Sequence, residues 1–143
     1  MAESLSISSL IIKSAEENDR SLISLAYKRC AGLNIYLNVK FTQSNLKDVA
    51  SANQKAAELF SIMAAQQDVI VEESQGIKNA FKNINERQKH LIQGSITRIA
   101  LFYANKSNEN YVKNGSIISG DPLLESDFGM CETMLTDAVK IFK

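Results

Sequence analysis

Apolar residues recur at helical spacing over most of the chain, a pattern that predicts an all-α helical bundle. The longest apolar stripe begins at Leu46 and follows steps of three and four residues as far as Phe102. A stripe of this length has two interpretations. It predicts either one long heptad-like helix over about residues 44–104 or a helical hairpin that turns near Gly76, with further helices at both ends of the chain.

The sequence around Gly76 contains arguments for both interpretations. Glycine is common where a helix ends, and Asn79 is able to cap a new helix. A turn, however, would put acids at a helix C-terminus and bases near the next N-terminus, both against the helix dipoles. These residues are Glu72 and Glu73, followed by Lys78 and Lys82. The apolar stripe also keeps its phase across Gly76. We therefore favour one continuous helix, about 90 Å long for 60 residues, and the hairpin is the alternative.

The spacing of apolar residues in the N-terminal third predicts helix from residue 3 to about residue 33. An interruption is expected around Asn18, where Asp19 or Ser21 can begin a second helix. Gly32 is able to end that helix. The sequence thus predicts a break between two helical segments before the long central stripe.

Two short segments show β-type patterns. Residues 35–41 alternate apolar with polar positions, as a strand does, although a helix end or an extended connector fits them too. Residues 111–118 contain Asn114-Gly115, a pair that favours a tight β-turn. Because this segment follows a Gly- and Asn-rich stretch after Ala104, we expect a loop there, with a minor β-hairpin as a possibility that pairing with 35–41 would extend to a small sheet.

The C-terminal helix has the clearest start signal in the chain. Asp121 is a capping acid and Pro122 suits the first helical position, so we expect a helix over about residues 122–142. Its apolar stripe consists of Leu124, Phe128, Cys131, Leu135, Ala138 and Phe142.

Composition is consistent with a single helical domain over residues 1–143. The chain is 45% hydrophobic, and its 16 basic and 16 acidic residues cancel, so nothing in the net charge indicates nucleic-acid binding. The N-terminus lacks the basic region of a cleavable secretory signal, and no segment has the continuous apolar length of a membrane span. We expect a cytoplasmic protein, or one exported without a cleavable signal.

Candidate chemistry is sparse. His90 is the only histidine, so a triad or a zinc site would have to be built around it. The two cysteines, Cys30 and Cys131, have no metal-type spacing, and we interpret them as reduced core thiols. The neighbouring acids Glu125 and Asp127 fit a solvated helix face. We therefore expect no catalytic, cofactor or metal site, and no enzyme.

The function that remains is protein association. We expect a non-enzymatic interaction or assembly protein that binds itself as a homo-oligomer, or binds a protein partner, through the long amphipathic helix. The competing class is a compact monomeric helical inhibitor of the immunity-protein type. The predicted interface residues flank Gly76 and otherwise belong to an ordinary core: Phe60, Met63, Ile70, Ile77, Phe81 and Ile84.

Overall fold

A computed structural model describes residues 5–77 and 83–142. Over these residues the chain is helical, which confirms the all-α prediction. The elements are α1 (Ile7–Glu17), α2 (Arg20–Gln43), α3 (Lys47–Ser74), α4 (Ile84–Leu91), a π-helical turn (Ile92–Ile96), α5 (Thr97–Asn114) and α6 (Pro122–Phe142). Helix α2 lies at the centre and packs against α1, α3, α5 and α6.

The break predicted near Asn18 is confirmed. Helix α1 is capped by the Ser6 hydroxyl and ends at Asn18, whose φ of 52° is left-handed. Asp19 then caps α2 by accepting the amide of Ser21 at 3.0 Å. Local capping hydrogen bonds therefore determine where α1 ends and α2 begins.

The chain turns after α3, so the continuous helix across Gly76 is wrong and the hairpin alternative is confirmed. Helix α3 ends at Ser74, and Gly76 has a φ of +73°. Helix α4 folds back on α3, since Gln88 Nε2 donates to Ser61 Oγ at 2.8 Å. The Arg87 guanidinium donates to both carboxylate oxygens of Glu72, at 2.9 and 2.5 Å.

This ion pair explains why the helix-dipole argument failed. Arg87 neutralises the acid at the end of α3, so the unfavourable position of Glu72 is offset by a partner from the next helix. Three residues used in the sequence argument, Lys78, Asn79 and Lys82, lie outside the described residues.

The β-type expectations are wrong, and no strand occurs among the described residues. Residues 35–41 are the last part of α2, which agrees with the helix-end alternative. The loop expected after Ala104 begins only at Gly115, because α5 stays helical up to Asn114 and Gly115 ends it with a φ of 74°.

The apolar residues that alternate at 35–41 do not share one environment, since Ile35 and Phe41 are partly buried against the core and Val39 is 50% exposed. Leu37 is buried in the core, while the Tyr36 hydroxyl lies 2.6 Å from Ser107 Oγ on α5. A helix buried on several faces loses the simple amphipathic period.

The start of α6 agrees with the sequence. Asp121 Oδ1 accepts the amide of Leu124 at 3.0 Å, and Pro122 is the first helical residue. Lys106 Nζ lies 3.2 Å from Asp121 Oδ2, so the cap also connects α6 to α5.

Gly32 does not end α2 but marks its closest contact with α5. A Cβ added at Gly32 would lie 2.5 Å from Ile99 Cγ2 and 3.0 Å from the Ala100 nitrogen. The two helices approach so closely because Gly32 has no side chain.

Replacing Gly32 with alanine should therefore destabilise the fold by about 1–3 kcal/mol through overpacking, despite the higher helix propensity of alanine. Gly129→Ala on α6 is the matched control, because a Cβ there meets nothing within 4 Å. The control should be neutral or stabilise by up to about 1 kcal/mol. Urea unfolding followed by circular dichroism measures both, and equal effects of the two variants would contradict the close contact.

Candidate functional site

A buried ion pair fixes α6 on the central helix. Arg29 on α2 and Asp127 on α6 are 1% and 0% exposed, and Arg29 Nη2 lies 2.5 Å from Asp127 Oδ2. The Tyr103 hydroxyl of α5 lies between them, accepting from Arg29 Nε at 2.8 Å and donating to Asp127 Oδ2 at 2.6 Å. Three helices therefore share one polar centre.

The same centre holds the start of α1. The amide of Ile7 donates to Asp127 Oδ1 at 2.8 Å, and Arg29 Nη1 donates to the carbonyl of Leu5 at 2.9 Å. The guanidinium also lies over the rings of Phe102 and Tyr103, 5.7 and 5.4 Å from their centroids. Both oxygens of Asp127 are thus hydrogen-bonded, which offsets the large cost of burying two charges.

The expectation that Asp127 lies on a solvated face is wrong. Asp127 occupies the buried face of α6 together with Leu124 and Cys131. Its position on the apolar stripe was the available signal, because a charge among core positions requires a partner. Arg29 and Tyr103 were missed because their partners are distant in sequence.

The cysteines form a disulfide, so the expectation of reduced thiols is also wrong. Cys30 on α2 and Cys131 on α6 are 101 residues apart in sequence, and their Cα atoms are 5.5 Å apart. Each follows a member of the ion pair: Cys30 is next to Arg29, and Cys131 lies about one turn beyond Asp127. Docking of α6 through the ion pair therefore brings the two sulfur atoms together.

Helix α6 runs beside α3 and leaves an apolar groove above α2, which we call the α3–α6 groove. Its first hollow has a volume of about 230 Å³. Its second hollow, nearer α1, has a volume of about 210 Å³. The first hollow is lined by Leu33, Asn34, Leu37, Phe41, Val49, Ala52, Asn53, Ala56, Phe128, Cys131, Glu132 and Leu135. The second is lined by Ile11, Ile23, Ala26, Tyr27, Met63, Met134, Asp137 and Ala138.

The disulfide lies between the two hollows. Cys131 lines the first hollow and Met134 the second, and Cys30 Sγ lies 3.8 Å from Met134 Sδ. The charged side chains lining the hollows are Glu132 and Asp137, both exposed on α6 and both acidic. The groove therefore combines an apolar floor with one acidic edge.

The predicted interface residues that the structure describes differ in their burial. Met63 lines the second hollow, whereas Phe60 is fully buried and stacks near Tyr27. Ile70 and Ile77 are exposed, at 40% and 51%, and Ile84 is partly buried against the core. Phe81 lies outside the described residues. Sequence reasoning missed the α6 side of the groove, although the stripe containing Phe128 and Leu135 was visible.

A metal ligand set and a membrane span would each place specific requirements on the described residues. No group of three His, Cys, Asp or Glu side chains among them is placed to hold a metal ion. His90, the only histidine, is exposed on α4. In the same part of the chain, no helix has both the length and the apolar character required to cross a bilayer.

Comparisons with known proteins give no match: no family model fits the chain, and neither a curated protein nor a solved structure is significantly similar to it.

Removing the charge of Asp127 should lower the free energy of unfolding. Asp127→Asn leaves the Arg29 charge buried without its counter-ion, and we expect a loss of about 3–5 kcal/mol in the free energy of unfolding. The control is Lys28→Met, which removes the ion pair with Asp68 at 3.0 Å, and it should cost less than Asp127→Asn because these side chains are 19% and 16% exposed and keep some solvent. Urea titration compares them, and a loss below about 1 kcal/mol for Asp127→Asn would contradict the structural role of the pair.

The buried hydroxyl of Tyr103 predicts that the stability of the fold decreases at alkaline pH. Burial raises the pKa of its hydroxyl far above the ordinary value, the Asp127 carboxylate raises the pKa further, and the Arg29 charge opposes the shift. Since the raised pKa favours the neutral form in the folded state, the stabilisation is complete below the unfolded pKa of about 10 and is lost as the pH rises above it. Ultraviolet titration should show Tyr103 ionising together with alkaline unfolding.

The control for this titration is Tyr103→Phe. The variant should lose the part of the absorbance change at unfolding that belongs to Tyr103, whereas Tyr27, whose pKa burial also raises, should still contribute. Ionisation of Tyr103 near pH 10 in the folded protein would contradict its burial beside Asp127.

Proposed function

We propose that this chain is a non-enzymatic protein-binding domain that holds an amphipathic helix of a partner protein in the α3–α6 groove. The observation that carries the proposal is the groove itself, two apolar hollows along α2 with acidic side chains on one edge. Helix-in-groove recognition uses the same combination, since apolar anchors of the ligand fill hollows of the receptor while polar groups stay at the rim.

The dimensions of the groove fit a helix. The α2 residues that line the two hollows run from Ile23 to Phe41, with residues 28–32 between the hollows lining neither. At 1.5 Å per residue this stretch is about 27 Å long, which corresponds to a helix of about 18 residues. The two hollows then suit two groups of apolar anchors on that helix.

The charge of the rim specifies the partner. Glu132 and Asp137 lie on the α6 edge, and no basic residue is among the described side chains that line the hollows. A partner helix with lysine or arginine beside its apolar face would meet these acids. We therefore expect a basic amphipathic helix.

A second copy of this chain fits the groove less well. A two-fold symmetric dimer places the same surface of each copy against the other, so groove-to-groove pairing would bring the acidic edges towards each other. The turn at Gly76 also removes the exposed long rod on which self-assembly through a continuous helix depended. A compact binder, as in the inhibitor-type alternative, is the better supported class.

Binding of model peptides tests this proposal. The probe is a peptide of about 18 residues with leucine on one helical face and lysine on the other, compared with a peptide in which glutamate replaces lysine. Because the groove edge is acidic, the lysine peptide should bind at least about tenfold more tightly. NMR titration of the labelled protein should show shifts at groove residues such as Val49, Met63 and Met134.

Matched variants locate the binding site. Val49 lines the first hollow and is 46% exposed, whereas Val112 lies on α5 and is 83% exposed. Val49→Lys should weaken binding of the lysine peptide at least about tenfold, and Val112→Lys should leave it unchanged. Equal effects of both variants, equal affinity for both peptides, or concentration-dependent dimerisation through the groove would contradict the proposal.

A further inference from the structure

The disulfide lies between two parts of α6 that differ in how they are attached to the core. Before Cys131, the helix is held by the buried carboxylate of Asp127 and by Leu124, which is 2% exposed. After Cys131, the side-chain hydrogen bonds of residues 132–140 stay within α6 in the described structure. Thr133 Oγ1 donates to the Gly129 carbonyl at 3.2 Å, and Thr136 Oγ1 donates to the Glu132 carbonyl at 3.0 Å.

Packing of this C-terminal half is equally thin. Ala138 is the one buried residue between 132 and 140, and Met134 and Leu135 are partly buried. These residues contribute one wall of the groove, including the acids Glu132 and Asp137. The covalent bond at Cys131 is therefore the last covalent or polar connection between the core and this wall among the described contacts, and beyond it Met134, Leu135 and Ala138 are held by apolar packing alone.

We propose that the Cys30–Cys131 disulfide is a redox lock on the α3–α6 groove, so that the groove is complete in an oxidising compartment and loosened in a reducing one. Because the lock acts on the groove, this inference rests on the proposed function. Disulfides persist outside the reducing cytosol, so export or oxidation would convert the chain into its binding form.

The groove also supplies the route for reduction. Cys30 is fully buried, whereas Cys131 is 4% exposed and lines the first hollow. A dithiol reductant would attack through that hollow with one thiolate on Cys131 Sγ, forming a mixed disulfide and releasing the Cys30 thiolate. Its second thiol then displaces Cys131, which leaves two protein thiols and one oxidised reductant after transfer of two electrons and two protons. A helix bound in the groove would cover this route.

NMR relaxation of the complete chain tests the lock without any peptide. With dithiothreitol as the dithiol, mass spectrometry confirms the gain of two hydrogens, and backbone order parameters are measured in both states. For residues 133–140 we expect a fall from the rigid value of about 0.85 to below about 0.6 on reduction, while α2 stays rigid. The double substitution Cys30→Ala, Cys131→Ala should resemble the reduced protein and should not respond to dithiothreitol.

An unchanged order parameter for residues 133–140 after confirmed reduction would overturn the proposal, as would an equal fall in all helices. If the double variant fails to fold, the reduced native protein still gives this result. The lysine peptide separates the two proposals. Weaker binding to the reduced protein and slower reduction of the occupied protein support the lock. Equal affinity in both states overturns the lock alone, and absence of binding in both states overturns the docking function alone.

Discussion

The structure depends on the requirement that two buried charges neutralise each other. Arg29 and Asp127 are almost completely removed from solvent, and such a pair is tolerated only when nearly all of its donors and acceptors are used. Tyr103 from α5 and the backbone at Leu5 and Ile7 provide further partners. The arrangement of α1, α5 and α6 around α2 is therefore specified by a single polar centre, whereas apolar contacts alone would tolerate a shift of the helices.

The candidate function follows from the placement of α6. Because Cys30 follows Arg29 directly, the ion pair sets the register in which the sulfur of Cys131 reaches its partner. The helix is then held over α2 by the ion pair and the disulfide, and α3 lines the opposite side of the two hollows. The two hollows lie between α6 and α3, and the exposed acids of α6 give the rim of these hollows a negative charge. Binding and redox sensitivity both result from how this one helix is attached.

Features determined by neighbouring residues could be predicted from the sequence. The break at Asn18, the Asp19 cap and the start of α6 at Asp121-Pro122 each depend on a few adjacent residues. Features determined by distant partners could not. The turn at Gly76 is supported by Arg87 on Glu72, and Gly32 is explained by Ile99 of α5. For the candidate site, only Met63 was among the predicted interface residues, because the groove requires knowledge of where α6 crosses α2.

The most direct test of the central claim is hydrogen exchange at the amide of Ile7, the first residue of α1. An amide at this position has no acceptor within its own helix and normally exchanges rapidly. Here it donates to Asp127 Oδ1 at 2.8 Å, so the account predicts exchange as slow as that of the core amides of α2. Exchange of the Ile7 amide at the rate of an exposed helix end would contradict the claim that the buried carboxylate holds α1 and α6 together.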